Sequence, residues 1–186
     1  MADKILTPEF RAAFISVFRA SKARQAPAEQ EPRFSVRACF PPEADLSGMK
    51  ANAKQAAEDK WGLGKVPKTM RSPFRRNDEL ENPVPGLPDD WTIVTFSSKQ
   101  DRKPGIVDAN VQDIIDETEV YSGAWYRVQT NAFAYDTAGN KGVSFGLENV
   151  QKTREGDTLG GGKTPANKAF APVSTGAGNT TDNLFD

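Results

Sequence analysis

The sequence predicts a mainly β protein, folded as a small closed or partly open β-barrel with one medium helix and a flexible C-terminal tail. Three observations predict this fold class. Apolar runs alternate with turn residues throughout residues 1–152, one stretch has clear helical spacing, and residues 153–186 contain no apolar run. The length of 186 residues suits one domain with a tail. We therefore expect one folded domain at residues 1–152 and a tail at residues 153–186.

The predicted strands follow the alternation of apolar and more polar side chains. In residues 34–40 large and small apolar side chains occupy every second position, and residues 91–96 are β-branched and aromatic. Residues 10–19 fit two patterns, because Thr7-Pro8-Glu9 resembles a helix start while the apolar side chains alternate as in a strand. We favour a strand there. Cys39, the only cysteine, lies in an apolar run and is expected to be buried.

Residues 46–61 form the one convincing helix. Asp45 or Ser47 can cap its beginning, and Gly62 can end it. Its apolar side chains recur at helical spacing and would share one face: Leu46, Met49, Ala53, Ala56, Ala57 and Trp61.

A β-hairpin is predicted from residues 120–135 and 141–150, which flank the turn residues 136–140. One face of its first strand suits a tightly curved barrel interior: Tyr126, Val128, Thr130, Ala132 and Ala134. The other face mixes rings with long polar groups, which can stack on bases and bond to phosphates: Trp125, Arg127, Gln129, Asn131, Phe133 and Tyr135. The alternative is that the rings of Trp125, Phe133 and Tyr135 cover the core beneath the helix.

Basic residues are concentrated at one place in a chain whose net charge is only −1. Residues 62–90 form a long, proline-rich irregular stretch, and such loops are usually functional or mobile. Six basic residues and no acid lie between positions 60 and 76, with two rings among them: Lys60, Trp61, Lys65, Lys68, Arg71, Phe74, Arg75 and Arg76. Spaced cations and rings are what a flexible polyphosphate with unpaired bases requires. The alternative is a solvated basic loop without a ligand.

The residues that usually carry catalysis are missing or badly placed. The chain has no His, which excludes Ser-His-Asp triads, Cys-His dyads and His-bearing metal sites. The glycines before Lys163 do not have the spacing of a phosphate-binding loop. Clustered carboxylates could hold the metals of a nuclease, but a solvated helix face carrying Asp113, Asp116 and Glu117 is the simpler interpretation. The full acidic cluster is Asp108, Asp113, Asp116, Glu117 and Glu119.

The tail is expected to be flexible, because more than half of residues 153–186 are Gly, Pro, Ser, Thr or Asn. It ends with two apolar side chains between acids, a short peptide that can fill a partner's pocket: Asp182, Leu184, Phe185 and Asp186. No stretch has the length of a membrane span, and the N-terminus lacks the pattern of a signal peptide. We expect a protein that acts inside the cell and does not bind membranes.

Three segments carry a resemblance to a known family: residues 120–127 (VYSGAWYR), 134–143 (AYDTAGNKGV) and 146–152 (GLENVQK). The match extends to Arg154, Gly156 and Leu159-Gly160-Gly161, and the strand at residues 34–42 and the helix ending at residues 60–62 also fit. These segments resemble a group of bacteriophage proteins of similar length that bind single-stranded DNA through an OB-fold.

The resemblance implies an OB-fold-like five-stranded β-barrel without catalysis or cofactor. It implies that the protein coats and protects single-stranded DNA during phage replication or recombination, in the host cytoplasm and with little sequence specificity. It also implies a tail that contacts phage replication proteins, although this tail is less acidic than most. The helix departs from the simplest OB order, since it precedes the third strand. The sequence does not decide whether the protein forms a homodimer. The alternative function is a non-catalytic β-barrel module of a phage for protein–protein interaction.

Overall fold

A computed structural model describes residues 2–159 and 166–173. The strands are β1 (Ile5–Leu6), β2 (Phe10–Ser21), β3 (Arg33–Phe40), β4 (Arg75–Arg76), β5 (Thr92–Lys99), β6 (Gly105–Val107), β7 (Trp125–Thr130), β8 (Ala132–Thr137), β9 (Asn140–Gly146) and β10 (Asn149–Arg154). The helices are α1 (Ser47–Trp61) and α2 (Ala166–Ala169), and short 3-10 turns occupy Asn77–Glu79 and Glu117–Glu119. None of the helices in these described ranges is long and apolar enough to cross a membrane.

The strands form one curled sheet in the order β6-β10-β7-β2-β3-β5-β9-β8, with β1 added to β7 and β4 added to β5. Only Asn131 separates β7 from β8. The sheet path that leaves β7 therefore returns to the same stretch of chain at β8, which curls the sheet around its core. Most neighbours are antiparallel, whereas β5 pairs with β9, and β10 with β6, in parallel.

Five strand positions build the curled sheet, namely β2, β3, β5, the joined β7–β8, and β9. A parallel pairing of the third and fifth strands within an otherwise antiparallel Greek-key barrel is an OB-like arrangement. The prediction of a mainly β, OB-fold-like five-stranded barrel is confirmed. The helix α1 lies between the second and third of these strands, as its place in the sequence requires.

The core fills the inside of the curl with aromatic side chains. Phe10, Phe40, Phe96, Phe145 and Tyr126 are fully buried, and the ring centroids of Phe10 and Phe40 lie 5.3 Å apart. Burial raises the pKa of Tyr126, whose hydroxyl donates to the carbonyl of residue 121. The interior face predicted for alternate residues from 126 to 134 is confirmed. Its first four side chains are buried, and Ala134 is half-buried.

The helix α1 closes the core beside β8 and β9. Met49 is buried, and so is Asn52, whose side chain donates to the carbonyl of Asp3 and accepts from the amide of Ala132. The helix begins and ends near the predicted positions, with Gly62 at φ 95° after its last residue. Its backbone cap at Leu46 lacks a side-chain hydrogen bond, and Asp45 accepts instead from the amide of Ser47.

Several predicted elements have other bounds. The strand predicted at residues 10–19 is confirmed as β2, and Cys39 is buried as expected. The predicted strand 120–135 begins later and breaks at Asn131, and only its second part, β8, forms the hairpin with β9. The partner predicted at 141–150 divides into β9 and β10, because β10 leaves the hairpin and pairs with β7.

Two further expectations differ from the structure. The short helix predicted to carry Asp113, Asp116 and Glu117 is wrong: residue 113 lies in a β-bridge with Val107, and the side chain of Asp116 caps a 3-10 turn. The body also continues beyond residue 152. Strand β10 runs to Arg154, and the amide of Leu159 donates to the carbonyl of residue 122.

The chain passes closely over itself where it leaves β10. A side chain on Gly123, which has φ 111°, would overlap the backbone of Asp157, and one on Gly156 would overlap the carbonyl of Gly123. Arg11 ties the crossing together by donating to the carbonyls of residues 123 and 157. The glycines of the YSG segment and of residue 156 are therefore required by this close approach.

Residues 77–91, which we call the covering segment, pack on the outer face of the sheet. Val84, Leu80, Leu87 and Trp91 lie against the outward side chains of Cys39 and Ile93. Asn77, at 1% exposure, holds the segment together, because its Oδ1 accepts from the amide of residue 84 at 2.7 Å. Its Nδ2 faces the carbonyls of residues 84, 87 and 88. The covering segment leaves the other half of this outer face open.

Candidate nucleic-acid interface

The open half of the outer face carries a row of side chains that runs across the strands. Phe14 of β2 lies opposite Arg37 of β3, and Arg37 lies opposite Thr95 of β5. All three are exposed, and Phe14 exposes 52% of its surface. A phenyl ring with this exposure in the middle of a strand offers a flat apolar surface to a ligand.

A β-bulge in β2 produces this arrangement. The register shifts between Ala12 and Phe14, so that the side chains of Ala13 and Phe14 both lie on the outer face. Ala13 packs under the covering segment, while Phe14 stands beyond its edge. Bulges commonly re-aim a side chain near a binding site.

The row continues onto β9 and β8. Phe96 pairs with Phe145 across β5 and β9, and extending this register by one residue places Thr95 beside Ser144. Ser144 in turn pairs with Phe133, which is 39% exposed. We call these five residues the outer row: Phe14, Arg37, Thr95, Ser144 and Phe133. Four strand spacings give the row a length of about 19 Å.

The surroundings of the outer row are basic. The outer faces of β3 and β5 continue through Ser35 and Ser97 to the cross-strand pair of Arg33 and Lys99. Strands β2, β3 and β5 contain no acidic residue. A phosphate backbone lying along this face therefore meets cations, hydroxyls and rings without a carboxylate from the strands themselves.

A second group gathers at the tip of the β8–β9 hairpin, and we call it the hairpin cluster: Trp61, Arg71, Tyr135, Asp136 and Lys141. The indole Nε1 of Trp61 donates to Oδ2 of Asp136 at 3.3 Å, and Lys141 pairs with the same oxygen at 3.4 Å. The backbone of Arg71 forms an isolated β-bridge with Gly142, which lies opposite Tyr135 on β8. Any side chain on Gly142 would overlap Tyr135, because the hydroxyl end of that ring lies directly against Gly142.

The structure thus brings Tyr135, predicted on the hairpin face, together with Trp61 and Arg71, which were predicted as part of the basic stretch between positions 60 and 76. Phe133 lies two positions along β8 from Tyr135 on the same face, which joins the hairpin cluster to the outer row. Lys60, Lys65 and Lys68 are exposed around the end of α1 and the loop that follows.

Other predicted residues of the basic segment, residues 60–76, are held by protein groups. Arg76 donates to both carboxylate oxygens of Asp78, at 3.1 and 3.0 Å, and Arg75 donates to the carbonyl of Glu79. Phe74 is half-buried and meets Phe145 edge-on with ring centroids 5.7 Å apart. The clustering of basic and aromatic residues in the sequence does not reveal these protein partners.

The residues predicted on β7 lie on a different surface, formed by β7 and β10. Trp125 is half-buried between Arg154, 4.0 Å from its ring centroid, and Trp91, 6.2 Å away. Arg127 donates to the Gln151 side chain, and Gln129 accepts from Asn149. The predicted site therefore divides between two surfaces, and most of the polar groups on β7 already have protein partners.

Glu9 stabilises this second surface. Partial burial alone would raise the pKa of the Glu9 carboxyl. Hydrogen bonds from Thr153 and Arg154 outweigh this effect and hold that pKa below its usual range. The ionised carboxylate in turn fixes Arg154 against the Trp125 ring. This arrangement keeps the guanidinium of Arg154 packed on the Trp125 ring.

Within residues 2–159 and 166–173, no group of three or more Asp, Glu, Cys or His side chains is placed to hold a metal ion. The predicted tail residues Asp182, Leu184, Phe185 and Asp186 lie outside the described residues, as does the glycine-rich stretch before Lys163.

Comparison with known proteins identifies the family. A family model described as that of the Enterobacter phage Enc34 ssDNA-binding protein matches residues 3–183. The chain belongs to this family. A comparison with curated proteins gives no significant match.

Solved structures share the fold of this Enc34-family chain. The single-stranded DNA-binding protein from bacteriophage Enc34 aligns with TM-score 0.65 and 13% identity, covering 89% of each chain. The same phage protein in complex with ssDNA aligns with a TM-score of 0.67 and 15% sequence identity, covering 84% of this chain and 89% of that chain. Bacteriophage T7 gp2.5, a single-stranded DNA binding protein, aligns with a TM-score of 0.61 and 14% sequence identity, covering 83% of this chain and 93% of that chain. At these identities the likeness shows the fold.

Sequence reasoning missed Phe14, Arg37, Thr95 and Ser144 of the outer row, together with Lys141 of the hairpin cluster. Alternation alone turns Arg37 and Thr95 outward, but it places Phe14 on the same face as the buried Phe10 and Ala12, and only the β-bulge between Ala12 and Phe14 brings this ring to the outer face. Alternation also does not show which outward residues are covered. The signal that was available is the absence of acidic residues from β2, β3 and β5.

Proposed function

We propose that this chain binds single-stranded DNA along the outer row and the hairpin cluster, and that it acts by binding rather than by catalysis. The observation that carries the proposal is the outer row itself, which has an exposed phenyl ring at each end and a guanidinium between them. Rings stack on unpaired bases of any sequence, and cations neutralise phosphates.

The position of these residues in the fold supports the same surface. In OB-folds, oligonucleotides bind the face of the second and third strands and the loops that join strands one to two and four to five. Here these strands are β3 and β5, which carry Arg37 and Thr95. The corresponding loops are residues 22–32 and the β8–β9 turn, beside which the hairpin cluster lies.

Family membership supports the biological role. A protein that coats single strands with little sequence specificity protects them during phage replication or recombination, inside the infected cell. We propose that the C-terminal residues Asp182, Leu184, Phe185 and Asp186 contact phage replication proteins. The predicted side chains of the β7–β10 surface extend the DNA path only if the bound strand continues around the barrel. These are the aromatic Trp125, the basic Arg127 and the amide Gln129.

A titration of tryptophan fluorescence with oligo-dT at two salt concentrations tests the proposal. Trp61 lies in the hairpin cluster and should report on binding. We expect saturable binding that weakens steeply with salt, with a slope of about 0.7 for each phosphate neutralised in a single strand. Absence of binding at low salt would contradict DNA binding and leave the protein-interaction module as the better account.

A further inference from the structure

A cavity of about 450 Å³ opens between α1, the basic segment and β9. Cavities of this size with apolar walls and few polar groups are typical sites for small planar molecules. The apolar walls come from Ala53, Ala57, Val66, Met70, Phe74 and Val143. The cavity lies outside the outer row and is formed by the inner side of the basic segment.

Phe74 supplies an aromatic wall. One edge of its ring is fixed by the contact with Phe145, and the ring is only half-buried because the cavity lies beside it. An aromatic ring held from one side and open on another is suited to contact with a second planar ring.

The mouth of the cavity is basic. Lys50 and Lys54 of α1 border it, with Glu58 as the one acid in the lining, and Lys54 lies 3.8 Å from that acid. The loop that forms the opposite wall also carries the exposed side chains of Lys65 and Lys68. Cations outnumber acids around an apolar interior, which matches a phosphate-linked ring better than an apolar peptide.

The polar groups in the lining do not select one base. The Ser72 hydroxyl already accepts from the amide of Phe74 at 3.2 Å and lies 3.3 Å from its carbonyl. The remaining polar lining groups are the flexible lysines and Glu58. The cavity can therefore hold a ring without reading its hydrogen-bonding edge.

The cavity adjoins the proposed DNA surface. The lining residues 72–74 directly follow Arg71, whose backbone forms hydrogen bonds with β9 at residues 141 and 143 beside the Tyr135 ring. A strand that leaves the hairpin cluster along the basic segment passes the mouth.

We propose that this cavity receives one unpaired nucleobase of the bound single strand, with its ring against Phe74 and its flanking phosphates near the lysines at the mouth. The inference rests on the proposed function and adds a base-binding site on the inner side of the basic segment. It predicts one base that is far less accessible than its neighbours in the complex.

The experiment is an NMR titration of the labelled full chain with a short oligo-dT. We expect nuclear Overhauser contacts from a thymine methyl group to the methyl groups of Val66, Met70 or Val143. The variant Ala53→Phe places a benzyl ring in the cavity as a surrogate for the base. It should lose these contacts and bind the oligonucleotide about tenfold more weakly, the equivalent of one base–aromatic stack.

Ala51→Phe is the matched control, because it makes the same change at an exposed position of the same helix that does not line the cavity. It should retain both the contacts and the affinity. If the unmodified chain binds oligo-dT without contacts to the cavity, the inference is wrong while the proposed function stands. If the chain does not bind oligo-dT at low salt, both are wrong. The contacts in the unmodified chain decide the matter even if Ala53→Phe does not fold.

Discussion

Replacing Asn77 by Ala should make it easier for the covering segment to open away from the sheet. The side chain is buried and makes the hydrogen bonds that hold residues 77–88 in a compact loop. Its removal leaves the buried amide of Val84 without its 2.7 Å partner. A buried polar group without a partner costs about 1–3 kcal/mol, and carbonyls of the same loop also lose their donor.

We expect local opening of the covering segment to become more favourable by about 2–3 kcal/mol, which is a change of about 30- to 150-fold in the opening equilibrium. The segment covers Cys39, which is fully buried. Burial raises the pKa of the Cys39 thiol to about 12, so the folded protein holds almost no thiolate at neutral pH.

Labelling of Cys39 with a thiol reagent measures this opening directly, because the chain has one Cys. Asn77→Ala should label faster by about the factor above while the far-UV spectrum is retained. Glu81→Ala, at an exposed position of the same segment, is the control and should label at the original rate. An unchanged labelling rate in Asn77→Ala would refute the view that Asn77 holds the segment in place.

Three other substitutions test the proposed surface and its surroundings. Phe133→Ala should weaken oligo-dT binding by about 1–3 kcal/mol without a change in thermal midpoint, measured by fluorescence titration; a lower midpoint with unchanged affinity would assign the ring to packing. Arg37→Gln should reduce the salt slope of binding by about 0.7, whereas Arg76→Gln should change it less because that guanidinium is already paired. Equal effects of the two would contradict the placement of the phosphate path. Glu9 has a folded-state pKa below its unfolded value of 4.5, so its contribution to stability is present above that pH and is lost as the pH falls. Glu9→Gln should therefore flatten the acid limb of a stability–pH profile obtained from denaturant unfolding, and an unchanged limb would show that this carboxylate contributes little.

The strands and the helix were predictable because their signals are local. Period-two alternation predicted β2, β3, β5 and the interior face of β7 and β8, and helical spacing predicted α1. Strand β10 could not be predicted as a separate element, because its bounds follow from pairing with β7 across the sheet. The break at Asn131 arises where the chain passes from β7 to the hairpin, which no local pattern specifies.

The candidate site was predictable only in part for a related reason. Alternation assigned Phe133 and Tyr135 to an outward face, and the structure places both there. It assigned Trp125 to the same face, but it could not show that Trp91 and Arg154 pack against that ring. Whether an outward residue is free depends on segments distant in sequence.

The basic segment shows the same limit for charge. Its cations are adjacent in the sequence, yet Arg76 is paired with an acid that lies only two residues away. Lys141 joins Arg71 and Trp61 in the hairpin cluster although it lies far along the chain. Charge counting finds a basic segment, and the fold decides which of its charges are already paired with protein groups.

The position of the DNA on the outer row can be read from backbone amide shifts on addition of oligo-dT. We expect the largest changes at Phe14, Arg37, Thr95 and Phe133 and in the adjoining hairpin cluster, with small changes around Arg127 on the β7–β10 surface. Changes concentrated on the β7–β10 surface, with the outer row unaffected, would contradict binding at the outer row.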